Sequence, residues 1–159
     1  SGLLHPLGGL DHLLALLGVG MWAAHPAGRR TLWIPALFIA SLVGGALLAG
    51  PAWPVAAVET GIAASVVFFG LLLAFALRLP DAAVAPLAML FALCHGLAHG
   101  LESPHEGLPA AYVAGFMLTS SLLVVAGAFA ARKLAGTRGS AVLRIAGAGA
   151  AASGLLLMV

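Results

Sequence analysis

The sequence predicts an all-α polytopic membrane protein, a bundle of six transmembrane helices with both termini outside. The chain has 159 residues, of which 62% are hydrophobic and 8% are charged. A soluble domain carries about 25% charged residues, so a chain this apolar needs the bilayer as its solvent. Turn signals divide it into six apolar stretches of 19 to 24 residues. Each is long enough to cross a hydrocarbon core of about 30 Å, and residues 1–159 are therefore predicted to form a single transmembrane domain.

The first three predicted spans end at residues that terminate helices or stay out of the hydrocarbon. The first covers about 7–25 and ends at a His-Pro pair, and the second covers 32–50 and ends at a Gly-Pro pair. The third covers 54–77 and stops at Arg78. Proline lacks a backbone N–H and disfavours helical geometry in the residue before it, so both X-Pro pairs indicate helix ends.

The other three predicted spans are bounded by polar segments. The fourth covers about 83–101 and precedes the segment Glu-Ser-Pro-His-Glu-Gly at 102–107. The fifth covers 109–131 and ends at an Arg-Lys pair, and the sixth covers 141–159. The chain also contains 21 glycines, which let transmembrane helices approach closely.

The basic residues predict the orientation. Loops one, three and five and their flanks carry all seven, whereas loops two and four carry none. These residues are Arg29, Arg30, Arg78, Arg132, Lys133, Arg138 and Arg144. The positive-inside rule therefore places the odd-numbered loops in the cytoplasm and both termini outside. A translocated N-terminus and a chain that begins at Ser1 together predict that a signal peptide has been removed.

Composition also excludes some classes of partner and site. Net charge is only +2, and seven basic residues do not form the dense basic face that nucleic-acid binding needs. The single cysteine, Cys94, excludes an internal disulfide and a site built from several thiolates. The expected partners are the lipid bilayer and a small ligand held by other side chains.

Ionisable residues in three predicted spans point to such a ligand. In the predicted orientation, each lies near the outer face of the membrane. They are His5, Asp11 and His12 on the first span, Glu59 on the third, and His95, His99 and Glu102 on the fourth. A buried carboxylate costs on the order of 3 kcal/mol near the bilayer centre, and no Lys or Arg lies at this depth to offset that cost. A divalent cation would supply the missing charge.

Helical spacing supports a metal site. His95 and His99 are four residues apart and share a helix face, which Glu102 extends. His5 and His12 share a face if one helix begins near Pro6. Mixed imidazole and carboxylate ligands suit nickel, cobalt, zinc or copper(II), whereas magnesium and calcium prefer oxygen ligands alone.

The residues alone leave several alternatives open. Asp11 is either a direct ligand or a carboxylate that orients an imidazole, and Glu59 is either a ligand or a proton-relay group. A lone histidine in a membrane helix is more often a hydrogen-bonding group between helices than a ligand. An intramembrane zinc-dependent hydrolase is the alternative function, and a metal-stapled structural bundle is a third. Few polar residues lead inward from the site: Ser41, Ser65, Thr119, Ser120 and Ser121.

Two stretches of the chain resemble the signatures of the HupE/UreJ family of nickel and cobalt permeases. The first is HPLGGLDHLLA at 5–15, followed by GVGMWA at 18–23. The second is FALCHGLAHGLE at 91–102. The resemblance extends over essentially the whole chain and includes the six-helix count and the cleaved signal peptide.

This resemblance implies a function and a metal path. It implies uptake of Ni²⁺ or Co²⁺ across the bacterial cytoplasmic (inner) membrane, for metalloenzymes such as hydrogenase or urease. The metal would be the transported substrate, with no cofactor and no enzymatic activity. The implied path consists of His5, Asp11, His12, Glu59, His99 and Glu102. His95 enters the candidate set from helix spacing alone.

Overall fold

The computed structural model describes residues 2–24, 33–77, 79–102 and 110–158, except for the side chains of His5 and Thr137. The regular elements in these ranges are all α-helices, which confirms the predicted all-α class. In chain order they are α1 (His5–Gly8), α2 (Leu10–Ala23), α3 (Trp33–Leu48), α4 (Val55–Ala74), α5 (Asp81–Leu101), α6 (Ala110–Lys133) and α7 (Thr137–Leu156).

Four of these helices are long and apolar enough to cross a membrane, namely α4, α5, α6 and α7. The helices α2 and α3 are also apolar but have only 14 and 16 residues. At 1.5 Å per residue they extend about 21 and 24 Å, short of a core of about 30 Å. The prediction of six full-length spans is therefore supported by length for four of them, and the six-span count stays a prediction.

The predicted first span is wrong as a single helix. Gly9 has an extended backbone (φ −111°, ψ 126°) and separates α1 from α2. The assumption that one helix carries both His5 and His12 on the same face therefore fails. The side chain of His5 lies outside the described part of the structure. The break places Asp11 in the first turn of α2, where a carboxylate accepts otherwise unpaired backbone N–H groups.

Successive helices from α2 to α7 run through the bundle in alternating directions. Leu3 contacts Gly115 and Thr119 in the first half of α6, and Ala24 packs with Ala131 near its end, so α2 and α6 are parallel. Contacts likewise join the start of α2 to the start of α4 and the end of α2 to the end of α4, so these two helices are parallel. Corresponding contacts make α3 parallel to α5. In contrast, α4 is antiparallel to α5 and α7. We call the end where α2, α4 and α6 begin the site end, and the opposite end the basic end.

Described basic side chains lie at the basic end. Arg132 and Lys133 end α6, and Arg138 lies in the first turn of α7. The Arg144 Nε donates a hydrogen bond of 2.9 Å to the carbonyl oxygen of Ala74, the last residue of α4. Arg29, Arg30 and Arg78 lie outside the described residues. The described basic side chains thus share one end of the bundle, as the sequence predicts, although the side of the membrane that each end faces stays a prediction.

Glycines set the spacing within three helix pairs, α2–α6, α3–α5 and α4–α7. In the α3–α5 pair, Gly96 lies against the backbone of α3. A Cβ atom added there would meet the Leu42 carbonyl oxygen and lie 2.8 Å from the Ala46 nitrogen. The two backbones are therefore closer than any side chain larger than hydrogen allows, which holds the end of α5 at a defined distance from α3.

Substituting Gly96→Ala is expected to destabilise the protein by about 1–3 kcal/mol, the usual cost of overpacking. The matched control is Gly44→Ala on α3, where an added Cβ has nothing within 4 Å. Thermal unfolding of both variants in the same detergent measures the effect. Equal unfolding temperatures for the two variants would contradict the close packing of α3 and α5.

Candidate metal centre

Asp11 and His12 form a hydrogen-bonded pair at the start of α2. The Asp11 Oδ1 accepts a 2.7 Å hydrogen bond from the His12 backbone N–H and lies 3.0 Å from the His12 Nδ1. A carboxylate in this position accepts, so the Nδ1 carries a hydrogen, and in the neutral ring the Nε2 keeps its lone pair. The Nε2 is buried and has no hydrogen-bond partner among the described residues. Gly9 permits the arrangement, because a Cβ there would meet Asp11 Oδ1.

The imidazole rings of His12, His95 and His99 lie close together. The ring of His12 lies 4.6 Å from that of His95 and 4.6 Å from that of His99, between centroids. His95 and His99 have no exposed surface, and His12 is 8% exposed. The His99 ring stacks on Phe116, with centroids 4.9 Å apart and planes inclined by 16°. We call these three histidines the histidine cluster.

Acidic side chains line a cavity that shares His12 with the histidine cluster. Asp11, His12, Glu59 and Glu102 line a cavity of about 280 Å³ together with apolar residues of α4 and α5. We call this cavity the acidic vestibule. Glu59 and Glu102 are exposed, whereas Asp11 is partly buried. A cation arriving from the site end would therefore meet carboxylates first and buried imidazoles second.

An aromatic layer lies on the other side of the cluster, toward the basic end. It consists of Phe38, Phe68, Phe69 and Phe91. Phe38 contacts the cluster directly, with its ring centroid 6.3 Å from that of His95. These rings pack against each other in the apolar core of the bundle. The described structure thus opens the site toward the vestibule and closes it with aromatic side chains on the other side.

Comparison with known proteins decides the family. The model of the family described as HupE / UreJ protein matches residues 1–157. The chain belongs to the HupE/UreJ family. It is also 38% identical to Protein HupE of Rhizobium leguminosarum bv. viciae, over 159 residues that make up 100% of this chain and 83% of that protein. No solved structure matches the chain.

Membership of the HupE/UreJ family confirms the resemblance read from the two signatures. The family relates the chain to nickel and cobalt transport, and its apolar helices make it a multi-pass membrane protein. Neither finding favours the hydrolase alternative.

The structure brings together six of the seven residues predicted for the metal site of this HupE/UreJ member. Asp11, Glu59 and Glu102 line the acidic vestibule, and His95 and His99 lie in the histidine cluster. The sixth residue, His12, belongs to both. His5 is the seventh, and its side chain is outside the described part. Within the described ranges, the donor atoms do not converge as a ready-made group of three metal ligands. The imidazoles contact each other through their rings instead.

Two residues contact the site without having been predicted as part of it, although Ser65 was counted among the few polar residues that lead inward. Ser65 lies against His95, with 2.8 Å between its Oγ and the His95 Nε2. Phe116 supports the ring of His99. Sequence spacing identifies residues on the same helix face, but both of these contacts are between helices. The only sequence signal for Ser65 is a hydroxyl within an otherwise apolar stretch of α4.

Proposed function

We propose that this protein takes up Ni²⁺ or Co²⁺ across the cytoplasmic membrane, through the acidic vestibule and the histidine cluster. The observation that carries the proposal is the contact of three buried imidazoles, one of which, His12, also lines a cavity with three carboxylates. Divalent first-row transition metals accept this combination of ligands. The site end would face outward and the basic end the cytoplasm, in keeping with the positive-inside rule.

Unsatisfied nitrogen atoms support a cation at the cluster. The His12 Nε2 and the His95 Nδ1 are both buried without a hydrogen-bond partner among the described residues. Leaving a buried polar atom unsatisfied costs about 1–3 kcal/mol. A bound cation would accept both lone pairs and remove this cost. The rings would have to turn, since the donor atoms do not yet converge.

The vestibule and the cluster would act in sequence. The carboxylates Asp11, Glu59 and Glu102 would raise the local concentration of cations and draw off part of their hydration shell. The imidazoles of His12, His95 and His99 would then replace further water ligands. Binding must also be weak enough for release, and passage toward the cytoplasm requires the aromatic layer to move. The proposal therefore includes a second conformation in which these phenylalanine rings separate.

Uptake into proteoliposomes tests the proposed function. Vesicles containing the purified chain, with an inside-negative membrane potential, are expected to accumulate Ni²⁺ and Co²⁺ saturably. Mg²⁺ and Ca²⁺ in excess are not expected to compete, because they prefer oxygen ligands. Protein-free vesicles are the control. Tight Co²⁺ binding without accumulation would contradict transport and favour a structural or hydrolytic metal site.

A further inference from the structure

Ser65 contacts the histidine cluster from α4. It has no exposed surface, and its Oγ lies 2.6 Å from the Ile62 carbonyl oxygen and 2.8 Å from the His95 Nε2. Its hydroxyl therefore has two polar neighbours and a single hydrogen to donate. The direction of these two hydrogen bonds determines which nitrogen of His95 is protonated.

The contact with Ile62 settles that direction. A carbonyl oxygen can only accept, so a 2.6 Å contact between two oxygen atoms requires the hydroxyl hydrogen to lie between them. The Ser65 Oγ then accepts a hydrogen bond from His95, whose Nε2 must carry the hydrogen. In the neutral ring, the lone pair is therefore on the Nδ1. That atom is buried and has no hydrogen-bond partner among the described residues.

We propose that Ser65 is a positioning residue of the metal site, which fixes His95 in the tautomer that offers its Nδ1 to a divalent transition-metal cation. This inference rests on the proposed function, because it requires His95 to bind the transported metal. Ser65 acts on His95 as Asp11 acts on His12, but the two partners hold opposite ring nitrogens. His12 offers its Nε2 and His95 its Nδ1 to the same cluster.

The tautomer can be measured without any metal. The full chain is labelled with ¹⁵N in histidine only, and imidazole ¹⁵N shifts distinguish a protonated ring nitrogen from one with a lone pair. The His95 signals are assigned by their loss in His95→Gln. We expect hydrogen on Nε2 in the wild type and in Ser65→Thr, which keeps the hydroxyl. In Ser65→Ala we expect this single tautomer to be lost.

Co²⁺ affinity then tests the consequence for the site. Removing a partner that orients a metal-binding histidine typically lowers affinity 10–100-fold, and we expect a loss of about this size for Ser65→Ala. Ser65→Thr is expected to restore most of the affinity. The matched control is Ser153→Ala on α7, whose Oγ donates to the Gly149 carbonyl oxygen, 2.9 Å away. This control removes a similar hydroxyl bond on a helix that contributes no residue to the histidine cluster, so Co²⁺ affinity should not change.

Any other result overturns either the role of Ser65 or the proposed function. Wild-type Co²⁺ affinity in Ser65→Ala, or an unchanged His95 tautomer, would overturn the role of Ser65 and leave the proposed transport intact. Equal losses of affinity and of thermal stability in Ser65→Ala and Ser65→Thr would show a packing role and also overturn it. A wild-type protein that neither binds nor transports Co²⁺ would instead contradict the proposed function itself.

Discussion

Replacing His12 with alanine is expected to abolish saturable Ni²⁺ and Co²⁺ uptake. The ring of His12 is in contact with both His95 and His99, and its Nδ1 is paired with Asp11. Among the described residues, it thus joins the acidic vestibule to the buried cluster. Loss of a residue that only orients a metal ligand typically lowers metal affinity or activity about 10–100-fold. Loss of a ligand at this central position should lower uptake by more than about 100-fold.

The matched control for His12→Ala is Val19→Ala. Val19 is fully buried and lies seven residues further along α2, on the same helix face. Both variants shorten a buried side chain of α2, but only one removes a nitrogen donor. Initial rates of Ni²⁺ uptake in proteoliposomes, normalised to folded protein, compare them. Similar residual rates in the two variants would contradict a binding role for His12.

Replacing Asp11 with asparagine is expected to lower the rate of uptake at least about tenfold. This is the smallest loss of activity usual when a hydrogen-bonding partner of a metal-binding histidine is changed. The asparagine oxygen can still accept a hydrogen bond from the His12 Nδ1, so the orientation of the imidazole is largely kept. What the substitution removes is the negative charge between the vestibule and the cluster. We therefore expect Asp11→Asn to have a defect approaching that of Asp11→Ala.

The control for charge removal is Asp81→Asn. Asp81 is a carboxylate in the first turn of α5, at the basic end, where it accepts a hydrogen bond of 3.1 Å from the Trp33 Nε1. Uptake by Asp81→Asn should equal that of the wild type. If Asp11→Asn also transports at the wild-type rate while Asp11→Ala does not, orientation of His12 is the only contribution of Asp11. The charge requirement would then be wrong.

The long helices could be predicted from the sequence because their signals are local. The predicted span 109–131 corresponds to α6, Ala110–Lys133, and 83–101 corresponds to α5, Asp81–Leu101. An apolar stretch bounded by prolines or basic residues is enough to define such a helix. The break at Gly9 was missed because it interrupts an apolar stretch without changing its hydrophobicity.

The ionisable residues of the candidate site could be predicted from the sequence, but their contacts with neighbouring helices could not. Its acids and histidines could be found because ionisable residues are rare in apolar spans, and the spacing of His95 and His99 marks a shared face. The packing of Ser65 on His95 and of Phe116 on His99 could not be found in this way. Those contacts depend on which helices become neighbours and at what height they pack. Hydrophobic periodicity contains neither piece of information.

The glycine-spaced helix pairs divide the imidazoles between two units. His95 and His99 belong to α5, which packs closely on α3, whereas His12 belongs to α2, which packs closely on α6. The spacing of the first two rings is an internal dimension of one helix. The gap between them and His12 depends on how the two helix pairs pack against each other. If one helix pair slid slightly past the other, the distance between the ring nitrogen of His12 and those of His95 and His99 would change. No turn of helix would have to unfold.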